Sequence, residues 1–91
     1  MAKSSLLLKI SKRVKISGIS SDSRLVKKGD VFFAITGYLI DGSKYIDDAI
    51  KKKASAIVTS NKKIKKKKIP VFHVNDVREA LSYTAYDFYS S

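Results

Sequence analysis

The sequence predicts a small α/β domain in which helices sandwich a mainly parallel β-sheet. Short apolar runs of strand length alternate with segments of helical periodicity, a pattern typical of parallel sheets. The run at residues 31–35, VFFAI, is unbroken and rich in aromatic and β-branched side chains, so both of its faces should be buried. The chain has 91 residues, of which 44% are hydrophobic. We therefore expect residues 1–91 to form a single domain.

The first half of the chain contains three predicted elements. A short apolar helix begins at Ser4 or Ser5, either of which can cap its first turn. Residues 14–19 then alternate apolar and polar side chains, which predicts a half-exposed strand leading into a serine-rich loop at residues 20–23. The buried strand at residues 31–35 follows this loop.

The second half of the chain continues the alternation. A helix is predicted at residues 44–53, capped by Asp41 or Ser43, with Tyr45, Ile46, Ala49 and Ile50 on its apolar face. It carries acidic residues in its first turn and lysines in its last turn, as the helix dipole favours. The remaining predicted elements are strands at residues 56–59 and 70–74 and an amphipathic helix at residues 76–89, which opens with a capping box. The strands at residues 31–35 and 56–59, which flank the helix at residues 44–53, should be parallel neighbours in the sheet.

The net charge of +11 raises the possibility of a nucleic-acid-binding module. The type and distribution of the cations argue against it. Only Arg13, Arg24 and Arg78 carry the planar guanidinium that reads bases, and the lysine-rich segment at residues 62–68 contains no aromatic residue on which a base could stack. A solvated loop is the favoured interpretation of that segment. Nucleic-acid binding and a non-catalytic role in protein interaction stay as alternatives from other functional classes.

The sequence lacks the signals that are typical of several classes of functional site. The chain has no cysteine, so we expect a reducing, cytoplasmic compartment, and no segment approaches the roughly 20 apolar residues that would cross a membrane. A glycine-rich phosphate loop is missing, and no metal site is assigned. His73 is the single histidine and is expected to be structural. Asp22 next to Ser23 could suggest an activated nucleophile, but no general base for it is apparent in the sequence. The chain alone is therefore predicted to bind and not to catalyse.

Two polar loops flank the predicted strand at residues 31–35. All four glycines lie between Gly18 and Gly42, where apolar segments must stop or turn. The first loop is rich in serine, and the second runs from Gly37 to Gly42. Because a buried strand holds the two loops, their hydroxyls and backbone amides should form a site for a small polar molecule.

The residues from Gly18 onward follow the pattern G-I-S-S-D-S-R-x-V-K-x-G-D-x-F-F-A-I-x-G-x-x-x-D-G-x-x-[YF]-I-x-x-A-I, and A-x-A-I-V follows at residues 54–58. This ordered series resembles the amino-terminal domain of the Mur ligases. These ATP-dependent enzymes add amino acids to the UDP-N-acetylmuramoyl-peptide precursor of bacterial peptidoglycan. The ending at residues 74–89 resembles the MurE type, which adds the third amino acid, more than the MurF type, which stays as an alternative.

The resemblance implies the fold, the substrate and the partners. The chain would hold the uridine diphosphate end of UDP-N-acetylmuramoyl-L-alanyl-D-glutamate, to which a MurE-type enzyme adds meso-diaminopimelate or L-lysine. The ATP-binding and carboxy-terminal ligase domains are expected to be absent from these residues, so the chain alone should be inactive. No cofactor is implied for the chain itself, whereas ATP and Mg²⁺ are implied for the full-length enzyme, whose remaining domains would be its partners.

The resemblance also implies roles for individual residues. Two serines after the first strand would contact the uracil or the ribose, and the start of the second loop would supply the other substrate contacts. Tyr38 would contribute by stacking, because its loop is more apolar than in many relatives. No catalytic residue is assigned. The implied substrate-binding residues are Ser21, Ser23, Gly37, Tyr38, Leu39 and Ile40. The residues expected to shape the loops are Asp22, Arg24, Asp41 and Gly42, and for Asp22 and Arg24 a contact with each other or with the backbone is favoured over direct contact with the ligand.

Overall fold

The computed structural model describes residues 5–35, 42–65 and 67–90. Over these residues it shows a four-stranded parallel sheet with helices on both faces, which confirms the predicted fold class. The strands lie in the order β1-β2-β3-β4, so each strand pairs with the next one in the chain. The strands are β1 (Gly18–Ser20), β2 (Asp30–Ala34), β3 (Ala56–Thr59) and β4 (Val71–His73), and the α-helices are α1 (Ser5–Arg13), α2 (Ile46–Lys51) and α3 (Val77–Ser90).

The two central strands, β2 and β3, are the most deeply buried part of the sheet. Every residue of both strands is buried, as the unbroken apolar runs predicted. Their register pairs Phe32 with Ile57 and Phe33 with Val58. Since neighbouring residues of a strand point to opposite faces, Phe32 and Phe33 belong to two different cores.

The first core lies between the sheet and the pair of helices α1 and α3. Phe33 packs there against the apolar faces of both helices. Its buried members are Leu6, Ile10, Val31, Phe33, Ala56, Val58, Val77 and Ala80. The predicted apolar periodicities of the first and last helices are therefore confirmed, and they explain why these helices cover one face together.

The second core lies on the opposite face, under α2 and the loop that joins β1 to β2. Phe32 is its largest fully buried side chain. The other buried members are Val26, Ala34, Ile46, Ala49, Ala54 and Ile57. This smaller layer places α2 directly above the carboxyl half of β2, next to the serine-rich loop.

The predicted strand at residues 14–19 is wrong over its first four residues. Only Gly18–Ser20 form a strand, and the chain before it is irregular. A tight turn before β2 explains this. Gly29 has φ +90°, and a Cβ atom built on it would lie 2.5 Å from Oγ of Ser17. The backbone N–H of Ser17 donates to the carbonyl oxygen of Gly29 at 3.1 Å. Ser17 is therefore hydrogen-bonded to the turn that precedes β2, and the parallel pairing of β1 with β2 begins only after it.

The predicted helix at residues 44–53 is also shorter than expected. Gly42–Tyr45 form a 3₁₀ turn, Tyr45 is the N-cap of α2 without a side-chain cap bond, and Asp41 lies outside the described residues. The helix ends early because Lys53 adopts a left-handed φ of 72°. Its carbonyl oxygen then accepts a hydrogen bond from the N–H of Gly29 at 2.9 Å, which directs the chain into β3.

The last helix begins as its sequence predicted. The N–H of Glu79 donates to Oδ1 of Asp76 at 3.0 Å, so Asp76 caps the first turn of α3. Within the described ranges, no helix is both long enough and apolar enough to cross a membrane.

Candidate functional site

A cleft of about 500 Å³ opens at the edge of the sheet where β1 and β2 end. In parallel sheets this carboxyl edge is where loops from neighbouring strands meet and where ligands bind. The cleft combines a polar side from the serine-rich loop with an apolar side from β2, the residue after it and the turn before α2. Its described lining residues are Ser21, Asp22, Ser23, Arg24, Phe32, Ile35 and Tyr45.

The serine-rich loop is held by hydrogen bonds within itself. Ser20 donates from its hydroxyl to the carbonyl oxygen of Asp22 at 3.0 Å, and the same hydroxyl oxygen accepts from the N–H of Asp22 at 3.2 Å. Ser21 is exposed at the mouth of the cleft, whereas Ser23 is only 6% exposed. The loop therefore presents one accessible hydroxyl and one nearly buried hydroxyl.

Asp22 and Arg24 contact each other across one turn of the loop. Oδ1 of Asp22 accepts from the backbone N–H of Arg24 at 2.9 Å and from its Nε at 3.0 Å, and Oδ2 accepts from Nη2 at 2.8 Å. These hydrogen bonds from Arg24 lower the pKa of Asp22 from 3.8 to about 2. The mutual contact expected between these residues is present, and it caps the 3₁₀ turn Ser23–Leu25.

Lys52, the C-cap of α2, also reaches the loop, and its role there was not predicted from the sequence. Nζ of Lys52 donates to the carbonyl oxygen of Ser23 at 3.0 Å and to Oδ2 of Asp48 at 2.9 Å. The hydrogen bond from Lys52 lowers the pKa of Asp48. The i,i+4 spacing of Asp48 and Lys52 was a visible signal for the ion pair, but the contact of Lys52 with Ser23 joins residues 29 positions apart.

The apolar side of the cleft is built from Phe32, Ile35 and Tyr45. Phe32 is 1% exposed, and Ile35 is half-buried where the described chain leaves β2. Tyr45 precedes α2 and is 46% exposed. The helical periodicity of the sequence predicted Tyr45 on the apolar face of this helix. That placement is wrong, because the 3₁₀ turn rotates Tyr45 away from the core and into the cleft wall.

Part of the predicted site lies outside the described residues. This applies to the substrate-binding predictions for Gly37, Tyr38, Leu39 and Ile40 and to the loop-shaping prediction for Asp41. Gly42 is described as the first residue of the 3₁₀ turn before α2. Of the predicted site residues, the structure thus brings Ser21, Asp22, Ser23 and Arg24 together in one cleft.

His73 lies away from the cleft, in β4. Its Nε2 hydrogen-bonds the carbonyl oxygen of Ile64. Because a carbonyl oxygen can only accept, Nε2 carries the proton and the imidazole ties β4 to the loop before it. Among the residues the structure describes, no group of three histidine, cysteine, aspartate or glutamate side chains is placed to hold a metal ion.

Comparison with known proteins gives a consistent result. Residues 15–89 match the family described as "Mur ligase family, catalytic domain". The UDP-N-acetylmuramoyl-L-alanyl-D-glutamate–2,6-diaminopimelate ligase of Rhizobium meliloti is 42% identical over 76 residues, covering 84% of the chain and 16% of the relative. The ligase of the same name from Oceanobacillus iheyensis is 39% identical over 75 residues, covering 82% of the chain and 15% of the relative. The chain thus spans about one sixth of the length of these relatives.

The solved structures agree on the fold. MurF from Acinetobacter baumannii has a TM-score of 0.70 at 20% identity, covering 90% of this chain and 20% of that one. MurF ligase from Thermotoga maritima, in complex with ADP, has a TM-score of 0.61 at 27% identity, covering 85% of this chain and 16% of that one. The sequence match covers the serine-rich loop, the turn before α2 and all four strands. From these matches, together with the parallel sheet and its cleft, we conclude that the chain belongs to the Mur ligase family.

Proposed function

We propose that this chain is the substrate-binding domain of a MurE-type ligase and that its cleft holds the uridine end of UDP-N-acetylmuramoyl-L-alanyl-D-glutamate. The observation that carries this proposal is the meeting of Ser21 and Ser23 with an apolar wall at the carboxyl edge of the sheet. The names of the relatives, which include this substrate, support it.

The chemistry of the cleft suits a pyrimidine nucleoside. A uracil ring has two flat apolar faces and a polar rim with carbonyl acceptors and one ring N–H. Phe32, Ile35 and Tyr45 offer an apolar wall for the faces, while Ser21 and Ser23 offer hydroxyls for the rim. The volume of about 500 Å³ lies in the range of small-molecule sites. The loop at residues 37–40, implied by the family resemblance, would complete the contacts.

In this proposal the domain contributes binding and contributes no reacting group. Gripping the nucleotide end far from the chemistry positions the D-glutamate carboxylate for the reaction. ATP, with Mg²⁺, supplies the phosphoryl group that activates this carboxylate for attack by the incoming amine. We assign both to the other domains of the ligase, and we assign the reaction to the cytoplasm, since the chain lacks cysteine and the substrate is a nucleotide.

The names of the relatives also favour one incoming amino acid. Relatives 39–42% identical to this chain are 2,6-diaminopimelate ligases. We therefore propose diaminopimelate over L-lysine. The MurF type is a weaker candidate, because the MurF structures share the fold at only 20–27% identity.

A titration of the chain with UDP and with UDP-N-acetylmuramoyl-L-alanyl-D-glutamate, followed by amide chemical shifts, tests the proposal. We expect shifts at Ser21, Ser23 and Tyr45 for both ligands. Tyr45→Ala should weaken binding roughly tenfold, since stacking of a base on an aromatic ring corresponds to about 1–3 kcal/mol. The matched control is Tyr86→Ala, because Tyr86 is exposed on α3 and does not line the cleft.

Two results would contradict the proposal. The first is the absence of saturable binding of either ligand to the wild-type chain. The second is shifts confined to the lysine-rich segment at residues 62–68 together with affinity for unrelated oligonucleotides that falls steeply with salt. That second result would favour the nucleic-acid-binding alternative.

A further inference from the structure

Every strand of the sheet has a lysine three residues before its first residue. Because parallel strands all begin at the same edge of a sheet, the topology gathers these lysines at one edge, opposite the edge that carries the cleft. Two further cations lie in the same segments before the strands. We call the six residues together the basic edge: Arg13, Lys15, Lys27, Lys28, Lys53 and Lys68.

Contacts between the segments hold the basic edge together. The N–H of Ser17 donates to the carbonyl oxygen of Gly29 at 3.1 Å, and the N–H of Gly29 donates to the carbonyl oxygen of Lys53 at 2.9 Å. Arg13 and Lys68 line one cavity of about 210 Å³. With neighbouring strands about 4.8 Å apart, the cations of all four strands lie along an edge roughly 15 Å long.

The positive charge of the basic edge has no local counter-charge. All six side chains are exposed, and none of them takes part in the three ion pairs found among the described residues. The five residues before each strand include no aspartate or glutamate. Asp30, the first residue of β2, is buried and accepts from the N–H of Lys27 at 2.9 Å. The basic edge therefore presents its cations to an external anion.

Two exposed apolar side chains lie beside these cations. Leu25 is 67% exposed and Tyr89 is 66% exposed, and both line a cavity together with Lys27. A lysine ammonium is a point charge that needs no fixed geometry in its partner. Leucine and tyrosine side chains favour the boundary between lipid headgroups and acyl chains. Cations next to Leu25 and Tyr89 thus match a layer of anionic headgroups above an apolar interior.

We propose that the basic edge binds this chain to the surface of a membrane that contains anionic phospholipids. The cleft lies at the opposite edge of the sheet and stays open to its ligand, so this inference is independent of the proposed function. Nucleic acid fits the basic edge less well. Arg13 is its one guanidinium, and five of its six cations are lysines, which do not read bases bidentately.

Co-sedimentation of the 91-residue chain with lipid vesicles tests the proposal. We expect binding to vesicles of phosphatidylcholine and phosphatidylglycerol, weakening as salt is raised, and no binding to phosphatidylcholine alone. Lys15→Gln combined with Lys28→Gln should weaken binding to the anionic vesicles roughly 30-fold, since each cation near an anionic surface contributes about a fivefold factor. The affinity for UDP should not change.

A second pair of lysines provides the matched control. Lys62 and Lys63 are exposed and follow the end of β3, so they leave the opposite edge of the sheet. Lys62→Gln combined with Lys63→Gln removes the same charge but should weaken vesicle binding by less than about threefold, because salt screens charges far from the surface. Leu25→Ser should weaken vesicle binding and leave any affinity for an unrelated duplex oligonucleotide unchanged.

Three results would overturn the proposal. The first is no binding to the anionic vesicles at low salt. The second is an equal loss of binding in the two double variants, which would show that net charge and not the basic edge is responsible. The third is tighter binding to the oligonucleotide than to the vesicles at the same salt concentration, which would favour nucleic acid as the partner. A UDP titration tests the cleft separately, so each of these results leaves the proposed function standing.

Discussion

Nζ of Lys52 lies 3.0 Å from the carbonyl oxygen of Ser23, although 29 positions separate the two residues in the chain. The same Nζ lies 2.9 Å from Oδ2 of Asp48. Lys52 thus ties the loop after β1, which forms the polar side of the cleft, to the end of α2. The position of Ser23 depends on a residue beyond α2 and not only on its own loop.

We predict that Lys52→Met lowers the free energy of unfolding by about 1 kcal/mol, because the carbonyl of Ser23 loses a donor in a half-buried position. The affinity for UDP should fall at the same time, since the loop is no longer held against α2. Denaturant unfolding and a UDP titration measure the two effects.

Lys51→Met is the matched control, because Lys51 is exposed in the last turn of the same helix. Equal effects of the two substitutions would show that loss of positive charge, and not the bond to Ser23, is responsible.

From the contact between Asp22 and Arg24 we predict how the stability of the folded chain depends on pH. The folded-state pKa of Asp22 is lowered from 3.8 to about 2 by its hydrogen bonds to Arg24. Since the folded-state pKa lies below the ordinary value, the contact stabilises the folded chain fully above about pH 4. This contribution is lost as the pH falls through about 2.

A carbon-detected NMR titration of the Asp22 carboxyl measures this directly, and we expect a midpoint of about 2. Arg24→Gln should move the midpoint up toward 3.8, because the charged donors are removed while the backbone N–H remains. A midpoint that does not change in this variant would mean that the guanidinium does not pair with Asp22 in solution. Arg78→Gln removes an arginine that does not line this cleft and serves as the control.

Phe32 and Phe33 are neighbours in β2 but pack on opposite faces of the sheet. Both are almost fully buried, so Phe→Leu at either position should lower the free energy of unfolding by about 1–2 kcal/mol. Only Phe32 lines the cleft. We therefore predict that Phe32→Leu also weakens UDP binding, whereas Phe33→Leu leaves it unchanged at temperatures where both variants are folded.

Thermal unfolding and UDP titration of the pair distinguish a local effect on the cleft from a general loss of stability. Equal losses of affinity in the two variants would show that the cleft responds to the stability of the whole sheet and not to the wall that Phe32 forms.

Much of the fold could be predicted because its signals are local. The unbroken runs in β2 and β3 and the capping aspartate of α3 each depend on residues close together in the chain. The errors arose where a distant contact overrides the local pattern. Residues 14–17 alternate like a strand, but Ser17 bonds the turn at Gly29 instead. Likewise, the helix predicted to residue 53 stops at Lys51, because the chain must turn to reach β3.

The site divides in the same way. Ser21, Asp22, Ser23 and Arg24 could be assigned from an ordered pattern in the sequence, whereas Tyr45 and Lys52 could not. A hydroxyl-rich loop next to a buried strand is encoded by neighbouring residues, and so is the family resemblance. The side chains on the other side of the cleft depend on the orientation of α2 after the turn that precedes it and on the residue at which this helix ends. Both are set by packing against β2, so only the tertiary structure decided them.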